Sequence, residues 1–165
     1  MGRYTDPKCR QCRRIGEKLF LKGERCFTPK CAVDRRKRPP GEATPRRRRS
    51  SDWAIQLREK QRARWTYGVL ERQFHKYYEM AREQTGATGD ILLQLLERRL
   101  DNAVYRLSFV DSRAQGRQIV NHGHITVNDR VVNIPSYHVD QGDTIGWKTT
   151  GDTLPQFVQD LTDSL

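Results

Sequence analysis

The spacing of four cysteines near the N-terminus constrains the fold of this chain more than any other feature. Two residues separate the first pair, thirteen residues follow, and four residues separate the second pair: Cys9, Cys12, Cys26 and Cys31. Two close pairs joined by a short loop are the arrangement that a tetrahedral four-thiolate metal site requires. The loop offers Leu19, Phe20 and Leu21, which are too few apolar side chains to form a core unaided. The spacing therefore predicts a metal-stabilised knuckle.

Zinc is the metal that this pattern favours. A structural zinc supplies roughly 10–16 kcal/mol of folding free energy, against about 2–4 kcal/mol for a disulfide. An iron–sulfur cluster also accepts four thiolates, so the residues alone leave that alternative open, together with disulfides and unpaired thiols. A closed four-thiolate site has no open coordination position, which indicates one structural zinc ion rather than a catalytic one.

The positive charge is concentrated in the first third of the chain. The net charge is +11, and residues 1–50 hold 17 Lys and Arg against 5 Asp and Glu. Residues 51–165 hold 14 against 15. Such an excess indicates a polyanionic partner, with nucleic acid ahead of an acidic membrane. No apolar run approaches the roughly 18 residues of a membrane span, and the first residues lack the apolar segment of a signal peptide, so we expect a cytoplasmic protein.

A proline-rich basic arm follows the cysteines. Eight of the fifteen residues 35–49 are basic and three are proline. Such a segment buries too little to offset its ordering entropy, so we expect it to be extended until it meets phosphate. The run Arg46, Arg47, Arg48 and Arg49 suits bidentate phosphate contacts. A nuclear-import signal is the alternative that charge alone allows.

Residues 111–128 read as a short helix, a glycine turn and a strand. Ser112 is a good N-cap, and Gln115 completes a capping box. At 100° per residue, one arc of this helix holds Arg113, Arg117, Gln118 and Asn121, and Ala114 is the only apolar residue among them. Gly123 permits a positive φ between His122 and His124. The polar arc indicates a surface on which a nucleic-acid backbone can lie, although a merely solvated helix face explains it equally well.

Three helical segments are predicted between the arm and this stretch. The first begins at Ser51 or Asp52 and runs to about Arg64. The second runs from about Val69 to Glu83 with an apolar stripe that includes Phe74 and Tyr77; we assign its aromatics to a core, although they suit base stacking as well. The third is capped by Asp90, and we expect it to bend near Asp101 or Asn102.

Short strands are predicted after the glycine turn. Ile125–Val127 and Arg130–Val132 are joined across Asn128-Asp129, a good tight-turn dipeptide. Another strand covers Thr144–Trp147, and a last amphipathic turn is expected within 154–161. The fold class is α+β, with a metal knuckle and basic arm (1–50), a helical domain (51–97), a small α/β RNA-binding domain with helices packed on a mostly antiparallel sheet (98–150), and an acidic tail (151–165).

No catalytic constellation is present in the sequence. It holds no His-Glu-x-x-His helix, Gly-rich phosphate loop or Gly-x-Ser-x-Gly elbow. We therefore predict a structural RNA-binding protein that is not an enzyme and has no small-molecule substrate. An RNA-modifying enzyme with an appended RNA-binding module would need a further domain, and a zinc-dependent DNA-binding regulator would need a recognition helix or dimer signature.

Several blocks in order resemble the bacterial small-subunit ribosomal protein S-four family. The resemblance covers about residues 1–150 and includes the Met-Gly-Arg-Tyr start with its four cysteines. The most specific blocks are residues 56–61, 67–74, 96–107, 112–115, 120–128 and 133–137. Two departures are Gly116, where the family usually has Ala, and Asp129, where it commonly has Gly. The chain also ends sooner than most members.

The resemblance implies a cytoplasmic ribosomal protein that binds small-subunit ribosomal RNA early in assembly, at a helix junction of the 5′ domain. It implies contacts with ribosomal proteins S-five and S-three, a position near the messenger RNA entry path, and an influence on translational accuracy. RNA contact is carried over to Arg98, Arg99, Arg113, Arg117, Gln118, Asn121, His122, Gly123 and His124. The metal role is carried over to the four cysteines.

Overall fold

The computed structural model describes residues 4–36, 38–41 and 51–148, and it divides into two compact units, residues 1–76 and 77–165. The described residues form seven α-helices, one 3₁₀ helix and a three-stranded sheet. The predicted α+β class is confirmed. The arginine run 46–49 and the tail 151–165 lie outside the described residues, and the four-part division at residues 50, 97 and 150 stays a prediction.

The first unit surrounds the cysteines with short helices. Helix α1 is Cys9–Ile15, a 3₁₀ helix covers Gly23–Cys26, and α2 is Ala32–Arg35. The longer helix α3 follows at Asp52–Thr66. The Ser51 hydroxyl accepts the Ala54 N–H at 3.3 Å, which confirms the predicted start of α3.

Helix α4 covers Glu71–Arg82, slightly shorter than predicted. Phe74, Tyr77 and Ala81 are buried, which confirms a core role for the centre of the stripe. Leu70 and Tyr78, at its margin, are exposed.

Helices α5, α6 and α7 cover Thr88–Glu97, Leu100–Arg106 and Arg113–Asn121. The predicted cap at Asp90 is wrong, because α5 begins at Thr88 and Asp90 lies in its first turn. The predicted bend at Asp101 or Asn102 is also misplaced, since the chain breaks at Arg98 and Arg99. The cause is the segment 135–139, whose Tyr137 and Pro135 carbonyls accept the first N–H groups of α6 at 2.8 and 3.2 Å.

The sheet has the order β2-β1-β3, and both pairings are antiparallel. Its strands are β1 Ile125–Val127, β2 Arg130–Val131 and β3 Ile145–Trp147. Asn128 and Asp129 both have positive φ, 49° and 62°, as a two-residue turn between twisted strands requires. Asp tolerates this conformation better than most residues, so Asp129 serves in a turn where the resemblance leads us to expect Gly.

The core of the second unit lies between α6, α7 and the sheet. It consists of buried aliphatic side chains from all three: Leu100, Val104, Val110, Ile119, Val120, Ile125 and Val127. This core fixes the position of α7 and of the turn that follows it. Within the described ranges, none of the helices combines the length and hydropathy needed to cross a bilayer.

Candidate nucleic-acid interface

Helix α7 presents the polar arc predicted from its sequence. Ser112 accepts the Gln115 N–H at 3.3 Å, and Gln115 Oε1 accepts the Asp111 N–H at 3.2 Å, one residue earlier than in a standard capping box. Gly116, Ile119 and Val120 are buried, whereas Gln118 and Asn121 are exposed. Arg113 and Arg117 are half-buried, at the border between the two faces.

Gly116 lies where α7 meets the beginning of α6. A Cβ atom at this position would be 2.8 Å from the Asp101 carbonyl oxygen and 3.3 Å from Val110 Cγ2. Contacts below 3.0 Å with backbone force something to shift. The glycine, which the sequence left without an explanation, therefore permits the close approach of the two helices.

Arg113 and Arg117 are both held by side chains of α6. Arg113 Nε donates to Asn102 Oδ1 at 2.7 Å, and its guanidinium lies 4.4 Å from the centre of the Tyr105 ring. Arg117 Nη1 lies 3.4 Å from Asp101 Oδ2. A guanidinium group anchored in this way has less conformational entropy to lose on binding any ligand.

Arg99 has a different environment from the other predicted RNA contacts. It is 2% exposed, and its guanidinium donates to both Asp101 carboxylate oxygens, at 3.0 and 2.7 Å. A third bond, of 2.7 Å, goes to the Tyr77 hydroxyl. Burial opposes the charge, yet the carboxylate and the Tyr77 hydroxyl outweigh it and raise the pKa of Arg99. In this position Arg99 supports Asp101, and its burial argues against a direct RNA contact.

Arg98 is exposed at the break between α5 and α6. Its Nε donates to the Val139 carbonyl oxygen at 3.1 Å, and its guanidinium also pairs with Asp140. The Val139 N–H returns a bond to the Arg98 carbonyl oxygen at 2.8 Å. Nearby, burial and the charges of Arg98 and Arg99 lower the pKa of His138, whose ring stacks on Tyr77.

The turn after α7 places two histidines beside the polar arc. Gly123 has a φ of 72°, its N–H donates to the Val120 carbonyl oxygen at 2.9 Å, and the His124 N–H donates to that of Ile119 at 3.2 Å. These two bonds form a Schellman motif, for which glycine is the favoured residue. The positive φ predicted for Gly123 is confirmed. The rings of His122 and His124 lie 6.1 Å apart at the end of the helix.

The structure thus brings seven of the predicted RNA-binding residues together on α7 and its turn: Arg113, Arg117, Gln118, Asn121, His122, Gly123 and His124. Arg98 and Arg99 lie in the break between α5 and α6. Arg46, Arg47, Arg48 and Arg49 lie outside the described residues. Whether each one contacts RNA stays a prediction.

Sequence reasoning missed the side chains that position the arginines. Asn102 is 1% exposed and its amide donates to Glu97, which also binds Arg106 through both carboxylate oxygens. Asp101 is 4% exposed and joins Arg99 to Arg117. Adjacent Asp and Asn in the middle of an apolar stripe were the available signal, because polar groups at core positions need partners.

The four cysteines line one small cavity of the first unit, together with Phe20, Lys22 and other residues. Cys12, Cys26 and Cys31 are buried, and all four are free thiols. The Lys22 N–H donates to Cys26 Sγ at 3.4 Å. Burial raises the pKa of the Cys12 thiol. Over the described ranges, no three Cys, His, Asp or Glu side chains are gathered as closely as in a formed metal site, so the predicted zinc knuckle is not shown.

The fold and this arginine-bearing surface define an α+β protein of the kind that binds nucleic acid. Comparison with known families makes the class specific. The family model described as "Ribosomal protein S4/S9 N-terminal domain" matches residues 3–97, and the "S4 domain" model matches residues 98–145.

Curated relatives agree with the family models. The chain is 60% identical over 145 residues to "Small ribosomal subunit protein uS4A" of Symbiobacterium thermophilum, covering 88% of this chain and 70% of the relative. It is 59% identical over 146 residues to "Small ribosomal subunit protein uS4" of Thermus thermophilus, with the same two shares, 88% and 70%. The chain belongs to the uS4 family. The resemblance seen in the sequence is confirmed, and so is the prediction of a non-enzymatic protein, because this is a family of structural proteins.

Proposed function

We propose that the chain is a structural constituent of the small ribosomal subunit that binds its ribosomal RNA through α7 and the following turn. The relatives are named as proteins of that subunit, which supports a ribosomal role and a location on the cytoplasmic ribosome. The observation that carries the proposal is the anchoring of Arg113 and Arg117 by Asn102, Tyr105 and Asp101.

The surface suits phosphate rather than a neutral ligand. Two guanidinium groups share one helix face with the exposed amides of Gln118 and Asn121. The Asp101 carboxylate pairs with Arg117, and the two cations Arg99 and Arg117 share its single negative charge. The cluster keeps a net positive charge, and the arginine forks match phosphate oxygens. Arg99 contributes by holding Asp101 in place.

Finer assignments extend this proposal. We infer that the RNA site is a helix junction of the 5′ domain, that binding there nucleates assembly of the subunit body, and that the protein contributes to translational accuracy. Its proposed neighbours are ribosomal proteins S-five and S-three and messenger RNA near the entry path. The family resemblance of the sequence supports these assignments.

The surface is tested by changing Arg117 to Ala and measuring affinity for a small-subunit 5′-domain transcript over a series of salt concentrations. We expect weaker binding and a salt slope lower by about one, because one phosphate contact is lost. The fold should persist, since Asp101 keeps both bonds from Arg99. Arg117→Lys keeps the positive charge, so the salt slope should stay the same. Gln118→Ala removes a neutral amide, so it should weaken binding without changing the salt slope. An unchanged slope for Arg117→Ala would show that this residue does not contact RNA.

We also propose that Cys9, Cys12, Cys26 and Cys31 hold one structural zinc ion. All four cysteines line the same cavity, and the N–H bond to Cys26 Sγ is of the kind that stabilises a thiolate. Bound zinc would cross-link α1 to the 3₁₀ helix and to Cys31 before α2. An iron–sulfur cluster is the alternative with the same donors. Elemental analysis of the purified protein should give about one zinc per chain; an intact fold with neither zinc nor iron would contradict a metal role.

A further inference from the structure

Two aromatic side chains near the cysteines stack on each other at the surface: Phe20, in the loop between the two cysteine pairs, and Phe27, directly after Cys26. The ring centroids of Phe20 and Phe27 are 5.1 Å apart and the planes are inclined by 30°. Phe27 is 73% exposed and Phe20 is 38% exposed. Phenylalanine is usually buried. Here the side of Phe27 that does not meet Phe20 is open to solvent.

Local backbone geometry fixes both rings. Phe20 has a φ of 50°, in the left-handed region that a bulky residue rarely adopts. Such outliers concentrate at binding sites. The Phe27 N–H donates to the Glu24 carbonyl oxygen at 2.9 Å, and the neighbouring Thr28 hydroxyl donates to the Arg25 carbonyl oxygen at 3.0 Å. The stack is therefore formed before any partner arrives.

Two exposed cations accompany the pair. Lys22 and Arg25 line the same cavity as Phe20, and neither forms an ion pair within the part of the chain that the structure describes. Lys18, in contrast, is bound to Asp34 at 2.7 Å. Aromatic faces beside unpaired cations are the combination that binds single-stranded nucleic acid. The cores of protein interfaces are instead depleted of lysine, so RNA is the better fit.

We propose that Phe20 and Phe27 form a stacking platform for an unpaired RNA base, with Lys22 and Arg25 binding the adjoining phosphates. This inference rests on the proposed ribosomal RNA binding. Phe20 covers one face of Phe27, and the base stacks on the other. The base is unpaired because bases within a helix are already stacked on both sides, whereas loops and bulges present bases that protein aromatics can stack on.

The test compares full-length Phe27→Ala, Phe27→Leu and Phe27→Trp variants with the wild type, using the 5′-domain transcript over a salt series. The Ala and Leu variants should lose affinity about 5- to 150-fold, which is the range for one stacked base, with the salt slope unchanged. The Trp variant should retain affinity because it keeps an aromatic face. Lys22→Ala should instead lower the slope by about one.

Leucine separates stacking from simple apolar contact. Wild-type affinity for the transcript in either Phe27→Leu or Phe27→Ala would overturn the stacking platform. Ribosomal RNA binding by the protein would still stand in that case. Circular dichroism and thermal unfolding check that the variants fold; Phe27 is mostly exposed, so they should match the wild type. Failure of the wild type itself to bind the transcript would overturn the proposed function, and this inference with it.

Discussion

Gly116 shows how one missing Cβ atom organises the interface. At Gly116, α7 packs directly against the Asp101 carbonyl group at the beginning of α6. This close approach brings Arg117 to the Asp101 carboxylate. A glycine within a helix costs about 1 kcal/mol of helix propensity relative to alanine. The structure indicates that the close packing offsets this cost.

Changing Gly116 to Ala should destabilise the protein despite the better helix propensity. Overpacking against backbone costs about 1–3 kcal/mol. With the middle of this range set against a gain of about 1 kcal/mol in helix propensity, we expect the free energy of unfolding in urea to fall by about 1 kcal/mol. Gly89 in α5 is the matched control, because a Cβ there meets nothing within 4 Å. Gly89→Ala should stabilise by about 0.4–1 kcal/mol. Equal stabilisation by both changes would show that the helices are not in contact at Gly116.

At the scale of elements, the sequence was sufficient to predict those helix caps and turns that depend only on nearby residues. The caps at Ser51 and Ser112, the glycine turn at Gly123 and the two-residue turn at Asn128 all depend on neighbours within a few residues. Helical periodicity likewise predicted which side of α7 is buried.

Elements determined by distant residues were not predictable in this way. The break between α5 and α6 follows from the segment 135–139, which accepts hydrogen bonds at the start of α6 and forms an isolated bridge between His138 and Arg99. Helical periodicity alone predicted one continuous helical segment through residues 98 and 99, where the structure has a break between two helices. The environment of Arg99 also depends on a distant residue, because its guanidinium donates to the hydroxyl of Tyr77 in α4. Arg98 and Arg99 are adjacent in the sequence, and nothing in the neighbouring residues indicated that Arg99 would be buried and Arg98 exposed.

At the scale of the whole molecule, we propose that the basic N-terminal segment and the anchored arginines of α7 contribute differently to RNA binding. The first 50 residues carry all of the net positive charge, which supplies affinity for any polyanion together with a steep salt dependence. Side chains of α6 hold Arg113 and Arg117 of α7, and we propose that this fixed surface selects the shape of its partner. An RNA junction offers such a shape, whereas duplex DNA offers only a regular backbone.

The most direct test of this account is the affinity of the full-length protein for a small-subunit 5′-domain transcript, compared with duplex DNA of equal charge over a series of salt concentrations. Both should show steep slopes, because the basic segment displaces counterions from either polymer. We expect the RNA to bind tighter by a factor on the order of a thousand, the lower range for specific over non-specific binding. Equal affinities for the two at every salt concentration would contradict the account.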